Sequence, residues 1–79
     1  MTLVLYSDGS HASDAAKAFL SSHGMEFEEV DARTSDGYQR LVKRTQQKTV
    51  PAIEIKRSHC VQIIVGFNEQ LLAMELRLK

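Results

Sequence analysis

Apolar positions open the chain without a break. Leu3, Val4, Leu5 and Tyr6 follow one another in "TLVLY", the pattern of a strand buried on both faces. Asp8-Gly9 ends the run as a turn. From Ala12 to Ser22 the spacing becomes helical, with Ala15, Ala16, Phe19 and Leu20 on one side and Gly24 just beyond the helix end. "MEFEEVD" (Met25 to Asp31) reads as a second strand anchored by Phe27 and Val30. "TSDGYQRLVKRT" (Thr34 to Thr45) reads as a second helix, capped by Ser35 or Asp36, with a stripe of Tyr38, Leu41 and Val42. "TVPAIEI" (Thr49 to Ile55) is a third strand, with Pro51 at its start, where a proline is tolerated. "KRSH" is a turn, and "CVQIIVGF" (Cys60 to Phe67) completes a hairpin. "NEQLLAMELRL" (Asn68 to Leu78) is the last helix, capped by Asn68, with Leu71, Leu72, Met74 and Leu78 on or near one face. The order β-α-β-α-β-β-α predicts an α/β fold. The first two strands run parallel through a right-handed crossover. The last two are antiparallel, giving a four-stranded mixed sheet with helices on both faces.

Length adds one domain over residues 1–79, with room for one modest core. A hydrophobic content of 43% and a charged content of 25% are those of an ordinary globular chain. The apolar runs are far shorter than the roughly 20 residues of a membrane span, and the N-terminus lacks the pattern of a signal peptide. Cys60 is the single cysteine, so no intrachain disulfide forms, and the expected location is the reducing cytoplasm. Formal net charge is zero, but residues 1–36 carry two basic and seven acidic residues, while residues 37–79 carry eight basic and three acidic. Arg40, Lys43, Arg44 and Lys48 cluster in the second helix region. Charge gathered on one helix usually faces water, and without interleaved aromatics it does not read as a nucleic-acid surface. No membrane or nucleic-acid partner is expected, and the chain reads as a monomer.

The junction "YSDGSHASDAAKAF" (Tyr6 to Phe19) carries the candidate chemistry. Ser10 and Ser13 stand three apart with His11 between them. A serine hydrolase would need an orienting acid and a base that reaches the hydroxyl. Adjacent Ser10 and His11 rarely reach each other productively, and no G-x-S-x-G elbow is present. The glycine-rich phosphate loop is missing as well. Read as structure alone, Ser10 is a good helix cap.

The segments "LVLYS", "AAKAFLSSHGMEFEEVD", "LVKRTQQKTVPAIEI" and "IIVGFNEQLLAMEL" resemble, in order and spacing, the glutaredoxins and their thioredoxin-fold relatives. The resemblance runs over essentially the whole chain. It is nearest to the small bacterial and archaeal glutaredoxin-like proteins with a "VGF" turn. With Lys17 and Gly24 in register, the family's C-x-x-C falls on Ser10-His11-Ala12-Ser13. The resemblance implies thiol–disulfide exchange, with position 10 as nucleophile and position 13 as resolving thiol in a cysteine form. A serine hydroxyl cannot form or exchange a disulfide, so the chain as it stands is expected to be inactive. Replacement of both cysteines by the oxygen isostere favours an engineered change over natural loss. The competing expectation is a natural, redox-inactive module that holds a peptide or small anion.

The same resemblance assigns Thr49, Val50 and Pro51 to a cis-proline motif that positions substrate backbone. Gly66, Phe67 and Asn68 would hold the γ-glutamyl end of glutathione, and His11 would tune the thiolate of a cysteine form. The pattern is broken at Val65, in place of a glycine, and at Asn68, in place of an aspartate. The lysine often found before the loop is absent, and Ser7 and Asp8 lie there. No bound cofactor is expected. Glutathione enters only as a weakly held co-substrate, with a protein disulfide or glutathione mixed disulfide as substrate and thioredoxin reductase as an alternative reductant. His59 and Cys60 are adjacent, which is not metal-ligand spacing, and Cys60 reads as a spectator. His23 reads as the C-terminal residue of the first helix.

Overall fold

The computed structural model describes residues 2–76. Seven elements follow one another: β1 (Thr2–Ser7), α1 (His11–Ser22), β2 (Glu28–Asp31), α2 (Ser35–Thr45), β3 (Ala52–Lys56), β4 (Val61–Val65) and α3 (Glu69–Glu75). The sheet order is β2-β1-β3-β4. β1 runs parallel to β2, with Tyr6 beside Val30, and antiparallel to β3, with Tyr6 beside Ala52. β3 and β4 form the hairpin, pairing Ala52 with Val65 and Lys56 with Val61. The predicted order, mixed sheet and strand directions are all present.

Strand alternation sends the central strands' side chains to two cores. Leu3, Leu5, Ile53, Ile55 and Ile64 meet Ala16, Phe19 and Leu20 of α1 and Leu72 and Leu76 at the α3 end. Val4, Tyr6, Val30 and Ala52 meet Leu41 of α2 on the opposite face. Helices therefore cover both faces, and β1, sandwiched between them, is apolar from Leu3 to Tyr6 because neither face of that stretch meets water. A fully buried leucine contributes about 1.5–3 kcal/mol by leaving water, so these two clusters supply the main driving force.

Several boundaries and faces differ from expectation. β2 begins at Glu28, and Phe27 packs beside the first core from the preceding loop. Thr34, and neither Ser35 nor Asp36, caps α2, because its hydroxyl accepts from the Gly37 N–H at 2.9 Å. β3 starts after Pro51, and β4 is confined to Val61–Val65. Ala15 of the α1 face and Tyr38 of the α2 stripe are exposed, as are Leu71 and Met74 of α3. α3 turns Leu72 and Leu76 inward, four residues apart on one side. Leu78 lies outside the described residues.

Gly37 has a role that the pattern did not announce. A Cβ there would collide with the backbone carbonyl of Asp31, so only glycine lets α2 sit this close to the end of β2. Gly24 closes α1 with a φ of 67°, as its place beyond the helix end required.

Candidate active site

Sheet register builds the site. Ser7 ends β1 beside Asp31 at the end of β2. Tyr6 pairs with Ala52, and Ala52 in turn pairs with Val65. The segments Asp8–Ser10, Thr49–Pro51 and Gly66–Asn68 therefore leave the sheet at one end. The Gly66 N–H donates to the Pro51 carbonyl at 2.7 Å and ties two of them together. The Val50–Pro51 peptide bond is cis, and Gly66 has a φ of 80°, a left-handed conformation that glycine accepts without strain.

Ser10 is the N-cap of α1, half-buried, with its Oγ accepting from the Ser13 N–H at 3.3 Å. One turn on, Ser13 is fully buried. The Ser10 hydroxyl reaches the Ser13 Oγ at 3.2 Å. An accessible first position and a covered second one, both at a helix N-terminus, is the disposition that an attacking and a resolving thiol require. His11 opens the helix and is exposed. Thr49 is exposed, Val50 half-buried and Pro51 buried.

Asp8 organises the loop. Its Oδ1 accepts from the Ser13 hydroxyl at 2.9 Å and from the Ser10 N–H at 3.0 Å, while its own N–H donates to the Ser13 Oγ at 3.3 Å. Hydrogen bonds from Ser10, reinforced by the Ser13 hydroxyl, hold the carboxyl below the usual aspartate range. A second chain runs beside it. Ser7 is buried and donates to Glu29 Oε2 at 2.9 Å, and Lys17 pairs with Glu29 at 3.0 Å. Hydrogen bonding by Lys17 and then Ser7 lowers the Glu29 pKa. Arg33 pairs with Asp31 at 3.0 Å and keeps that carboxyl ionised to lower pH. A polar cavity of about 360 Å³ lies between these groups, against Gly9.

Asn68 spends its Oδ1 on Leu71 N–H at 3.0 Å, capping α3 as expected. With that oxygen occupied and Glu69 in the first turn, the start of α3 is less receptive to an anion than the sequence pattern implied. Of the basic cluster, Arg40 is committed to Glu28 through two bonds of 2.7 and 3.0 Å. Lys43, Arg44 and Lys48 are exposed.

The Asp8 bonds, the Ser7–Glu29–Lys17 chain and the Arg33–Asp31 pair were not legible as site features. Asp8-Gly9 carried only a turn signal, and Glu29 looked like any polar position of a strand.

A family model described as glutaredoxin matches residues 6–60. The chain belongs to the glutaredoxin family. A comparison with curated proteins gave no match. Solved structures of a thioredoxin-like protein and of glutaredoxins share the fold at low identity. A mutant of the thioredoxin-like protein BC3987 superposes with a TM-score of 0.85 at 19% identity, covering 99% of this chain and 97% of its own. A glutaredoxin from Archaeoglobus fulgidus gives 0.75 at 17% identity, covering 95% and 85%. A buckwheat glutaredoxin in complex with glutathione gives 0.66 at 20% identity, covering 96% and 70%. Within this glutaredoxin fold, Ser10 caps the first helix and Ser13 lies in its first turn, after the first strand and ahead of the cis proline in the chain.

Proposed function

We propose that the scaffold is that of a glutaredoxin-type thiol–disulfide oxidoreductase whose dithiol positions are Ser10 and Ser13, and that the serine chain is inert in this chemistry. The observation that supports it is the pair itself: a half-buried Ser10 Oγ at a helix cap, 3.2 Å from a fully buried Ser13 Oγ. In a cysteine form the thiolate at position 10 attacks a substrate disulfide. A mixed disulfide forms and one substrate thiolate leaves. The thiolate at position 13 then attacks the sulfur at position 10 and releases the second substrate thiol. The site ends oxidised, the substrate reduced by two electrons, and a thiol reductant (glutathione, or a thioredoxin reductase) restores it. Val50 and Pro51 align substrate backbone beside the loop, in the manner of an added strand. The substrate is a protein disulfide or a glutathione mixed disulfide, in a reducing cytoplasm.

A second reading has its own observation. Asp8 places a carboxylate against both positions, and a nearby negative charge disfavours a thiolate while suiting hydroxyl donors. The same carboxylate repels a small anion, so a loop built around Asp8 fits a redox-inactive module that holds a peptide.

The Ser10→Cys/Ser13→Cys variant separates the two. Turnover of a glutathione mixed disulfide or a protein disulfide, driven by glutathione or by thioredoxin reductase, is the expected result. A folded variant that forms its internal disulfide but turns over neither substrate would sink the oxidoreductase reading.

A further inference from the structure

The two edges of the sheet are built differently. β2 is four residues long and reads Glu28-Glu29-Val30-Asp31, with Arg40 and Lys17 bonded to its carboxylates. Charge on a short strand is how proteins keep an edge from pairing with another chain. β4 reads Val61-Gln62-Ile63-Ile64-Val65, with no charge, no proline and a register to β3 in which every residue has one partner. It carries none of those guards, and among the described residues no strand lies on its outer side.

The hydrogen-bond phase shows which residues face outward. The Arg57 N–H donates to the Cys60 carbonyl, and the Gly66 N–H donates to the Pro51 carbonyl. In an antiparallel ladder such bonded pairs alternate, so Cys60, Gln62, Ile64 and Gly66 turn their backbone groups toward β3. Val61, Ile63 and Val65 turn theirs to the open edge. Their side chains share the sheet face of Ala52 and Glu54, where the α2 core takes nothing from β4. Val61 is 56% exposed and Val65 47%.

We propose that β4 pairs antiparallel with β4 of a second copy of this chain, about a two-fold axis at Ile63. The pattern Val-x-Ile-x-Val reads the same in both directions. Ile63 of one copy meets Ile63 of the other, and Val61 meets Val65 twice. All three are bonded pairs, because all three residues have outward backbone groups. Each is also an apolar pair on one face, the unit that stabilises a sheet. No like charges are brought together along the strand, and a formal net charge of zero leaves no long-range repulsion between copies. The arrangement is self-complementary and closes, where a head-to-tail contact would propagate. It yields one eight-stranded sheet with the two serine loops at opposite ends. This goes beyond the redox reading and runs against the monomer expected from the sequence.

The test is the mass of the chain in solution, by light scattering from dilute to concentrated samples. The expected result is a rise from one chain to two without larger species. Ile63→Lys sets two ammonium groups opposite each other on the axis and should hold the mass at one chain, with unchanged circular dichroism. Because Ile63 is half-buried, a second variant guards against misfolding. Ile63→Cys on a Cys60→Ser background places two thiols across a bonded pair about 5.5 Å apart at Cα, within disulfide reach. It should cross-link under copper–phenanthroline, whereas Val61→Cys on the same background, facing Val65, should not. A single-chain mass at every concentration, open-ended assemblies, or equal cross-linking at positions 61 and 63 would overturn the proposal.

Discussion

Asp8 accepts from Ser10 and Ser13 at once, and this double engagement sets how the loop responds to acid. A carboxyl with a depressed folded pKa stabilises the native state above its unfolded pKa of about 3.9, and that contribution disappears as pH falls through the lower folded value. Glu28, Glu29 and Asp31 are depressed by Arg40, Lys17 and Arg33 and act in the same direction. Asp8→Asn should therefore flatten the fall of stability below about pH 4 and leave the difference at neutral pH largest, as urea melts across that range would show. An acid limb identical to that of the parent chain would count against the loop as a source of pH dependence. Tyr6 behaves in the opposite sense. Burial, with a hydrogen bond of 3.0 Å to Glu54, pushes its phenol up to about 12. The folded state keeps the proton that the unfolded state loses near pH 10, so this stability is complete below pH 10 and lost as pH rises toward about 12. Tyr6→Phe removes the donor to a carboxylate that is 1% exposed and should cost about 1.5–3 kcal/mol at neutral pH, measured by denaturant unfolding.

At the scale of elements, the contact of α2 with β2 turns on one missing methyl. Gly37→Ala adds a Cβ against the Asp31 carbonyl, which the backbone can relieve only by moving α2 away from β2. Overpacking of this kind costs about 1–3 kcal/mol, against a gain of under 1 kcal/mol from alanine's helix propensity, so the net should be destabilising. A thermal melt equal to or above that of the parent chain would refute the argument. Asp31 also accepts from Arg33 and Thr34 in this corner, so a displaced α2 should disturb the polar groups beside the serine loop. Element order was legible before any contact was known, because a continuous apolar run, helical spacing and Gly or Pro punctuation each have a local cause. The cap of α2 was misplaced by one or two residues, since Thr34, Ser35 and Asp36 are all good caps and only the path from β2 selects among them. The inward face of α3 was misread for a related reason. Leu71, Leu72, Met74 and Leu76 crowd one short helix, and the sheet beneath decides which pair is covered.

At the scale of the whole molecule, three loops from distant parts of the chain meet at one end of the sheet. The sequence departs from the family pattern at Val65 and Asn68, and the Asn68 Oδ1 is already taken by its own helix. Glutathione should therefore bind weakly. In an amide-shift titration, changes at Thr49–Pro51 and Gly66–Glu69 should remain unsaturated at millimolar ligand, and tight saturable binding at those segments would defeat the expectation.

The candidate roles of positions 10, 13 and 51 come only from the resemblance to the glutaredoxins, but their places could be read from the linear chain: one helical turn between two serines, and a proline just ahead of a strand. The same holds for the strand directions, which follow from crossover and hairpin lengths. The partners of Asp8, Glu29 and Glu54 could not be named. A carboxylate's role depends on which donors the fold brings within about 3 Å, and those donors sit up to 48 positions away, as for Tyr6 and Glu54. The contrast between the two sheet edges belongs with these. Only the tertiary order β2-β1-β3-β4 leaves β4 outermost, and only the hydrogen-bond phase turns Val61, Ile63 and Val65 outward.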